Sequence, residues 1–329
     1  MFKYIKSIKS HFKNYQLYNG HLLVVFLDDS GYTVVNNYDA KSFTIRQEIK
    51  LGCKTFYNFF FREEMAIAYY PMQRLVKFNL NSDEKITTKE LKIAPDLLVK
   101  NCLLGISIDD NSKKTLTMMD LDSLKRIDLL NEPFRLWESN GEAVIGVKVG
   151  KGQEIYSIDT LTGSINWQNN IADELSGKVI SHNEIIIVVG RNMLYGLSSK
   201  NGKLVWKSKS NEQLQIYGGK IINVDSGHYR EFSPDTGKTL IEYAMKSEYE
   251  KHGFTVPGPL GAFTVTETHV YIVHAMGSKL ACINRSNGKI DWSAVVGDGR
   301  VSLPNAPLIC ESMLYVLDDE GTLHIFEKE

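Results

Sequence analysis

The stretch IYSIDTLTGSINW, Ile155–Trp167, returns three times along the chain. The further copies are Leu194–Trp206 (LYGLSSKNGKLVW), Tyr229–Ile241 (YREFSPDTGKTLI) and Leu280–Trp292 (LACINRSNGKIDW). A repeat constrains the fold more than any other sequence feature, because one unit cannot bury its apolar face alone and must stack on its neighbours. Each copy reads as a strand, a tight turn and a second strand. Thr162-Gly163, Asn201-Gly202 and Asn287-Gly288 supply the turns, since Gly accepts positive φ without a steric penalty.

The turn residues Gly163, Gly202, Gly237 and Gly288 define a zero position. Five residues earlier stand Ile158, Leu197, Phe232 and Ile283, and eight earlier Ile155, Leu194, Tyr229 and Leu280. The same apolar spacing places weaker copies with Phe43, Asp83 and Leu124 at zero. A last copy has Leu323, Phe326 and Glu327, and the sequence stops before its turn. The period is close to the ~40–45 residues of a four-stranded propeller blade, and no 3.6-residue rhythm suggests a helical solenoid. The prediction is a single all-β domain over 1–329, an eight-bladed β-propeller, with seven blades as the alternative. Phe2–Ile8 is expected to supply the strand that the eighth copy lacks and so close the ring.

The remaining features are consistent with such a ring. Ile185–Val189 is a continuous apolar run, as expected for a strand covered on both faces. Met245–Lys251 is the one candidate helix. With 38 Lys+Arg against 39 Asp+Glu, net charge is −1, which gives no push toward nucleic acid or an anionic membrane. No apolar run reaches the ~20 residues of a membrane-spanning helix. The N-terminal MFKYIKSIKSHFK has no long apolar core and does not read as a secretory signal. Cys53, Cys102, Cys282 and Cys310 form no CxxC pair and read as reduced thiols, which suits a cytoplasmic location.

The Asp-x-x-Thr-Gly-x-x-x-Trp frame resembles the repeat of pyrroloquinoline-quinone-type (PQQ-like) β-propellers. Asp159, Thr162, Gly163 and Trp167 match it in full, whereas Gly202 with Trp206 and Gly288 with Trp292 match in part. The copy at Gly237 has Ile241 where the Trp belongs. The resemblance implies that Trp167, Trp206 and Trp292 dock one blade on the next. The quinoprotein members of the family carry an adjacent Cys-Cys pair, which this chain lacks, so no PQQ and no other cofactor is expected. The other branch is non-catalytic and uses the ring as a docking surface; its periplasmic lipoprotein member has a lipid-bearing Cys not found here.

No nucleophile elbow, P-loop, HExxH or zinc spacing appears. Asp28-Asp29, Asp109-Asp110 and Asp318-Asp319 sit at hairpin turns, where Asp is a good turn residue. The interval from Gly237 to Gly288 is the longest, and its surplus is Tyr243–Gly261. This loop and Gly297–Pro304 are expected side by side near the channel mouth, opposite the Thr-Gly turns. The function expected is a non-catalytic protein-binding module such as a scaffold, adaptor or immunity-type inhibitor. Its partner would dock on Tyr249, His252, Phe254, Pro257 and Leu260, with Asp298 and Arg300 from the neighbouring loop, and Phe254 as anchor. The alternative is a metal-dependent hydrolase or lyase with its site in the channel.

Overall fold

The computed structural model describes residues 2–9, 12–51, 58–69, 75–82, 84–87, 93–108, 113–132, 134–139, 142–148, 154–171, 173–209, 214–225, 227–254, 260–274, 277–297, 299 and 301–329. They form eight antiparallel four-stranded sheets arranged as a propeller. Blade 1 consists of Asn14–Tyr18, His21–Leu27, Thr33–Asp39 and Ile45–Lys50, and blade 2 of Asn58–Arg62, Met65–Tyr69, Leu75–Asn79 and Lys85–Thr87. Blade 3 has Ile93–Val99, Cys102–Ile108, Lys114–Asp120 and Arg126–Leu130, and blade 4 Phe134–Ser139, Ala143–Lys148, Glu154–Asp159 and Ile165–Asn170. Blade 5 has Leu175–His182, Ile185–Gly190, Met193–Ser198 and Leu204–Lys209, and blade 6 Leu214–Tyr217, Lys220–Val224, His228–Phe232 and Thr239–Ala244. Blade 7 is built from Leu260–Val265, His269–His274, Lys279–Asn284 and Ile290–Val295. In blade 8 the strands Leu308–Cys310, Met313–Leu317 and Thr322–Lys328 are completed by the N-terminal strand Phe2–Lys9. First strands of neighbouring blades lie against each other around the axis, and the fourth strands form the exposed rim.

The expected closure is therefore present. Phe2 pairs with Lys328 and Lys9 with Thr322, so the ring's last edge is covered. Phe2 is buried against Tyr271 and Trp292 of blade 7.

The offsets read from the sequence hold in space. Ile155, Ile158, Leu194, Leu197, Tyr229, Phe232, Leu280 and Ile283 are all buried, and so are Leu116, Met119, Leu323 and Phe326 of the weaker copies. The zero position is left-handed in Gly163, Gly202, Gly237 and Gly288, with φ between 65° and 72°. Phe43 and Leu124 adopt the same conformation without being glycine, at φ 52° and 56°. Such residues carry strain unless the surroundings hold them. Phe43 is held: its ring stacks on Tyr38 at 4.4 Å and meets Tyr315 of blade 8 at 5.9 Å.

The turn chemistry repeats as well. Asp159 Oδ1 accepts from the N–H of Leu161 and Thr162 and from the Thr162 hydroxyl, at 2.9, 2.7 and 2.9 Å. Asp39 and Asp120 do the same in blades 1 and 3. Backbone hydrogen bonds from the following residues, led by Ser42, Ser123 and Thr162 respectively, hold all three carboxyls below the usual range. A depressed carboxyl pKa contributes stability above its unfolded value and loses it as pH falls through the folded value. The urea midpoint should therefore fall as pH drops below about 4, and Asp159→Asn should show a shallower fall. Superimposable pH profiles for the two proteins would rule this out.

Among the described residues the core is divided into eight apolar clusters, each lying between two neighbouring blades. Trp167 lies over Gly202 of blade 5 and donates its Nε1–H to the Ser199 carbonyl at 2.8 Å. Trp206 lies over Gly237 of blade 6 and donates to the Pro234 carbonyl at 2.9 Å. A Cβ on Gly202 would sit 2.4 Å from the Trp167 ring at a φ of +68°. Gly202→Ala should cost roughly 2–4 kcal/mol through strain and overpacking together, read as a shift of the urea midpoint.

Candidate functional site at the rim of blades 4 to 7

In the described part of the Tyr243–Gly261 insertion, residues 243–254, the large apolar side chains turn into the interblade core. After the outer strand of blade 6, Met245 caps α1 (Lys246–Lys251), and Met245 and Tyr249 fall on one face, four residues apart. Tyr249 is fully buried and Phe254 is 3 % exposed, both in the cluster between blades 6 and 7. The Tyr249 hydroxyl donates to the Asp225 carbonyl at 3.2 Å, and burial pushes its pKa up. Phe254 lies 5.9 Å from Tyr249 and 6.2 Å from the His274 ring, with the Lys279 ammonium over its face. The expected anchor thus pins its own loop, because its ring is spent on the interblade core.

His252 is half-buried, with Nδ1 3.2 Å from the Ser293 hydroxyl. Pro257, Asp298 and Arg300 lie outside the described residues. Leu260 opens the inner strand of blade 7 opposite His274, and its side chain is likewise outside them. The insertion is wedged outward against the outer hairpin of blade 7, where the Glu248 carboxylate accepts from the Ile290 N–H at 3.3 Å. Over 245–254 the expectation of a place near the channel mouth is corrected, because the apolar face of α1 covers interblade surface, while 255–259 lie outside the described residues.

That wedge changes the environment of one repeat position. Two residues past the turn, Ile45, Ile165 and Leu204 are exposed, Leu204 at 52 %. Ile290 holds the same position in blade 7 and is only 6 % exposed, in one cluster with Met245 and Tyr249. One residue further, Ile86, Ile127, Val205 and Leu240 are exposed as well. Blades 1 to 6 therefore each present an apolar side chain on the outer strand at one or other of these two positions, and at blade 7 the chain itself covers the first of them. Uncovered apolar edges are a liability that a binding surface puts to use.

The seam between blades 6 and 7 also departs from the repeat. Ile241 pairs with Glu231 where Trp167 pairs with Ser157 and Trp206 with Gly196. A Cβ on Gly196 would sit 2.1 Å from the Trp206 ring, so the docking indole demands a small partner. Ile241 leaves room for Glu231, which is 1 % exposed and reaches across to blade 7. Its carboxylate takes Arg285 at 2.9 Å, Lys220 at 2.7 Å and the Tyr229 hydroxyl at 2.5 Å. Burial pushes the Glu231 pKa up, and these three donors together outweigh it and hold the carboxyl low. Tyr243 covers Gly288 in place of the indole and donates to the Ser286 carbonyl at 2.6 Å. A cavity of about 450 Å³ remains beside Ile241, Arg285 and His269.

Sequence reasoning registered the missing Trp but not its companion. The signal was a Glu at the position that holds Ser157, Gly196 and Cys282 in the other strong copies.

Asp28 and Asp318 are taken up by local hydrogen bonds. Asp28 caps Ser30 and Tyr32, while Asp318 accepts from the Thr322 N–H and pairs with His324 at 2.8 Å. Asp109-Asp110 lies outside the described residues. Among the described residues no three His, Cys, Asp or Glu side chains come together as a metal site, and no helix is long and apolar enough to cross a membrane.

The family described as outer membrane protein assembly factor BamB matches residues 151–252. Comparison with the curated proteins finds no match. Among solved structures, BamB from Moraxella catarrhalis is 14 % identical over 99 % of this chain and 100 % of its own, with a TM-score of 0.67. The C-terminal WD40 domain of Sif2 is 10 % identical over 100 % and 99 % of the two chains, TM-score 0.70. Quinohemoprotein alcohol dehydrogenase from Comamonas testosteroni is 10 % identical over 99 % of this chain and 76 % of its own, TM-score 0.63. At these identities the likeness is one of fold, shared by an assembly factor and an alcohol dehydrogenase alike. Residues 151–252 thus match the PQQ-like repeat described for this assembly factor, and the chain as a whole has the fold of an eight-bladed β-propeller.

Proposed function

We propose that this chain is a non-catalytic, protein-binding propeller, a scaffold, adaptor or immunity-type inhibitor that engages its partner through the outer rim. The observation that carries this reading is the exposed apolar side chain on the outer strand of each of blades 1 to 6, at one or other of two adjacent repeat positions, the first of which the chain's own helix covers at blade 7. Interface cores draw on such apolar side chains inside a polar rim. The match to an assembly-factor family supports the same reading. The cytoplasmic setting belongs to the same proposal, with Cys102, Cys282 and Cys310 as free thiols.

The test is a photo-crosslinking amino acid placed at Ile165 and at Leu204 in the native host. A discrete protein adduct is expected, and Leu204→Glu should abolish the adduct formed from Ile165 while the melting temperature is unchanged. Absence of adducts from both positions overturns the reading.

A further inference from the structure

The α1 helix marks out a binding mode that the repeat offers a second time. On blade 7 it packs over Ala281, Ile283 and Ile290, with His252 beside Ser293. The positions equivalent to these on blade 6 are Arg230, Phe232, Thr239 and Glu242. All four line one open groove facing blade 5, of about 590 Å³. The opposite wall corresponds too: Tyr243 and Ala244 precede the helix on blade 6, and Ser208 and Lys209 hold their places on blade 5.

The groove is open because the connection differs. Between the outer strand of blade 6 and the inner strand of blade 7 the chain has the whole of 245–259, enough for a helix and its return. Between Lys209 and Leu214 it has only 210–213.

We infer that the groove between blades 5 and 6 is the docking site for a short amphipathic helix of a partner protein, seated as α1 is seated one groove further round. This rests on the reading of the chain as a protein-binding propeller. The groove also states what its occupant should carry. Phe232 lies beneath the groove at 1 % exposure, and the half-buried Met193 beside it supplies apolar surface that adapts to its guest. Arg230 is held between Asp225 at 2.9 Å and Glu242 at 2.8 Å, so its guanidinium is a fixed part of the wall. Lys209 forms no ion pair among the described residues. The complementary segment has two apolar residues four apart, like Met245 and Tyr249, and a carboxylate positioned for Lys209. A groove of this volume is within the ~300–1,000 Å³ typical of binding pockets.

The experiment uses the full chain and a side-chain-stapled, fluorescently labelled peptide with the sequence of residues 244–254, AMKSEYEKHGF. Saturable binding in anisotropy is expected below about 1 mM, the weak end of specific association. Thr239→Trp fills the groove from blade 6 and should weaken binding by about tenfold, a loss of ~1.4 kcal/mol. Ser208→Trp fills it from the other wall and should do the same, which keeps the test decisive if one variant folds poorly. Lys209→Glu should weaken binding in the same direction. No saturable binding, or binding that both Trp variants leave unchanged, overturns the inference. The rim adducts from Ile165 and Leu204 are read independently, so a groove that fails and a scaffold reading that fails give different results.

Discussion

Removing residues 2–9 should open the ring and cost on the order of 5 kcal/mol or more. The strand contributes a ladder to Thr322–Lys328 from Phe2 to Lys9, with each net hydrogen bond stabilising by about 1 kcal/mol. Phe2 adds the burial of one aromatic side chain between Tyr271 and Trp292, about 1.5–3 kcal/mol. Loss of the strand also bares the edge of TLHIFEK, which is buried from Thr322 through Phe326 and carries Leu323, Ile325 and Phe326. An unpaired edge of that kind seeks another chain. The truncated protein should therefore melt far lower and aggregate, and a synthetic peptide of residues 1–13 added in trans should restore part of the lost melting temperature. A truncated protein that stays monomeric with a native melt would show that the ring does not depend on this strand.

Arg285→Ala should destabilise by about 3–5 kcal/mol, because it leaves the Glu231 carboxylate buried with a single half-exposed cation, Lys220. The double variant Glu231→Leu with Arg285→Leu should recover most of that loss, since an apolar pair avoids the desolvation of two charges. The pH dependence has a definite sign. In the native protein Glu231 is held below its usual range, so its contribution is present above about pH 4.5 and lost below it. Without Arg285 that depression shrinks. The stability gap between native and Arg285→Ala should therefore narrow as pH falls from 7 toward 4. A gap that is constant across this range would mean that the pair contributes packing only.

What the sequence reveals here follows from what a repeat can encode locally. Ile158 and Ile155 stand at fixed distances from Gly163, and the same distances located Phe43 and Leu124 in copies that lack the glycine. Strand closure by Phe2–Ile8 followed from an unfinished last copy. Tyr249 and Phe254 were legible as unusual but not as buried, because burial depends on the interblade surface waiting beside them. Glu231 was harder still. Its partner Arg285 lies in the next blade, and the space it occupies exists only because Ile241 is smaller than an indole. The groove between blades 5 and 6 could be recognised only once α1 had shown what its neighbour holds.

The pairing of Phe2 with Lys328 also sets the order in which the molecule can be finished. In chain order the closing strand precedes every blade, while its partner follows them all. During synthesis from the N-terminus, Phe2–Lys9 must stay unpaired until Thr322–Lys328 emerges, with the rest of the ring already assembled between them. The wait adds little to the entropy of closure, which grows only with the logarithm of loop length, yet it prolongs exposure of an unpaired strand. A circular permutant joining residue 329 to residue 2 through a short linker, and opened at Gly218-Gly219, would keep every strand pair. It would turn the slowest contact of the ring into a local hairpin, moving the delay from blade 8 to blade 6.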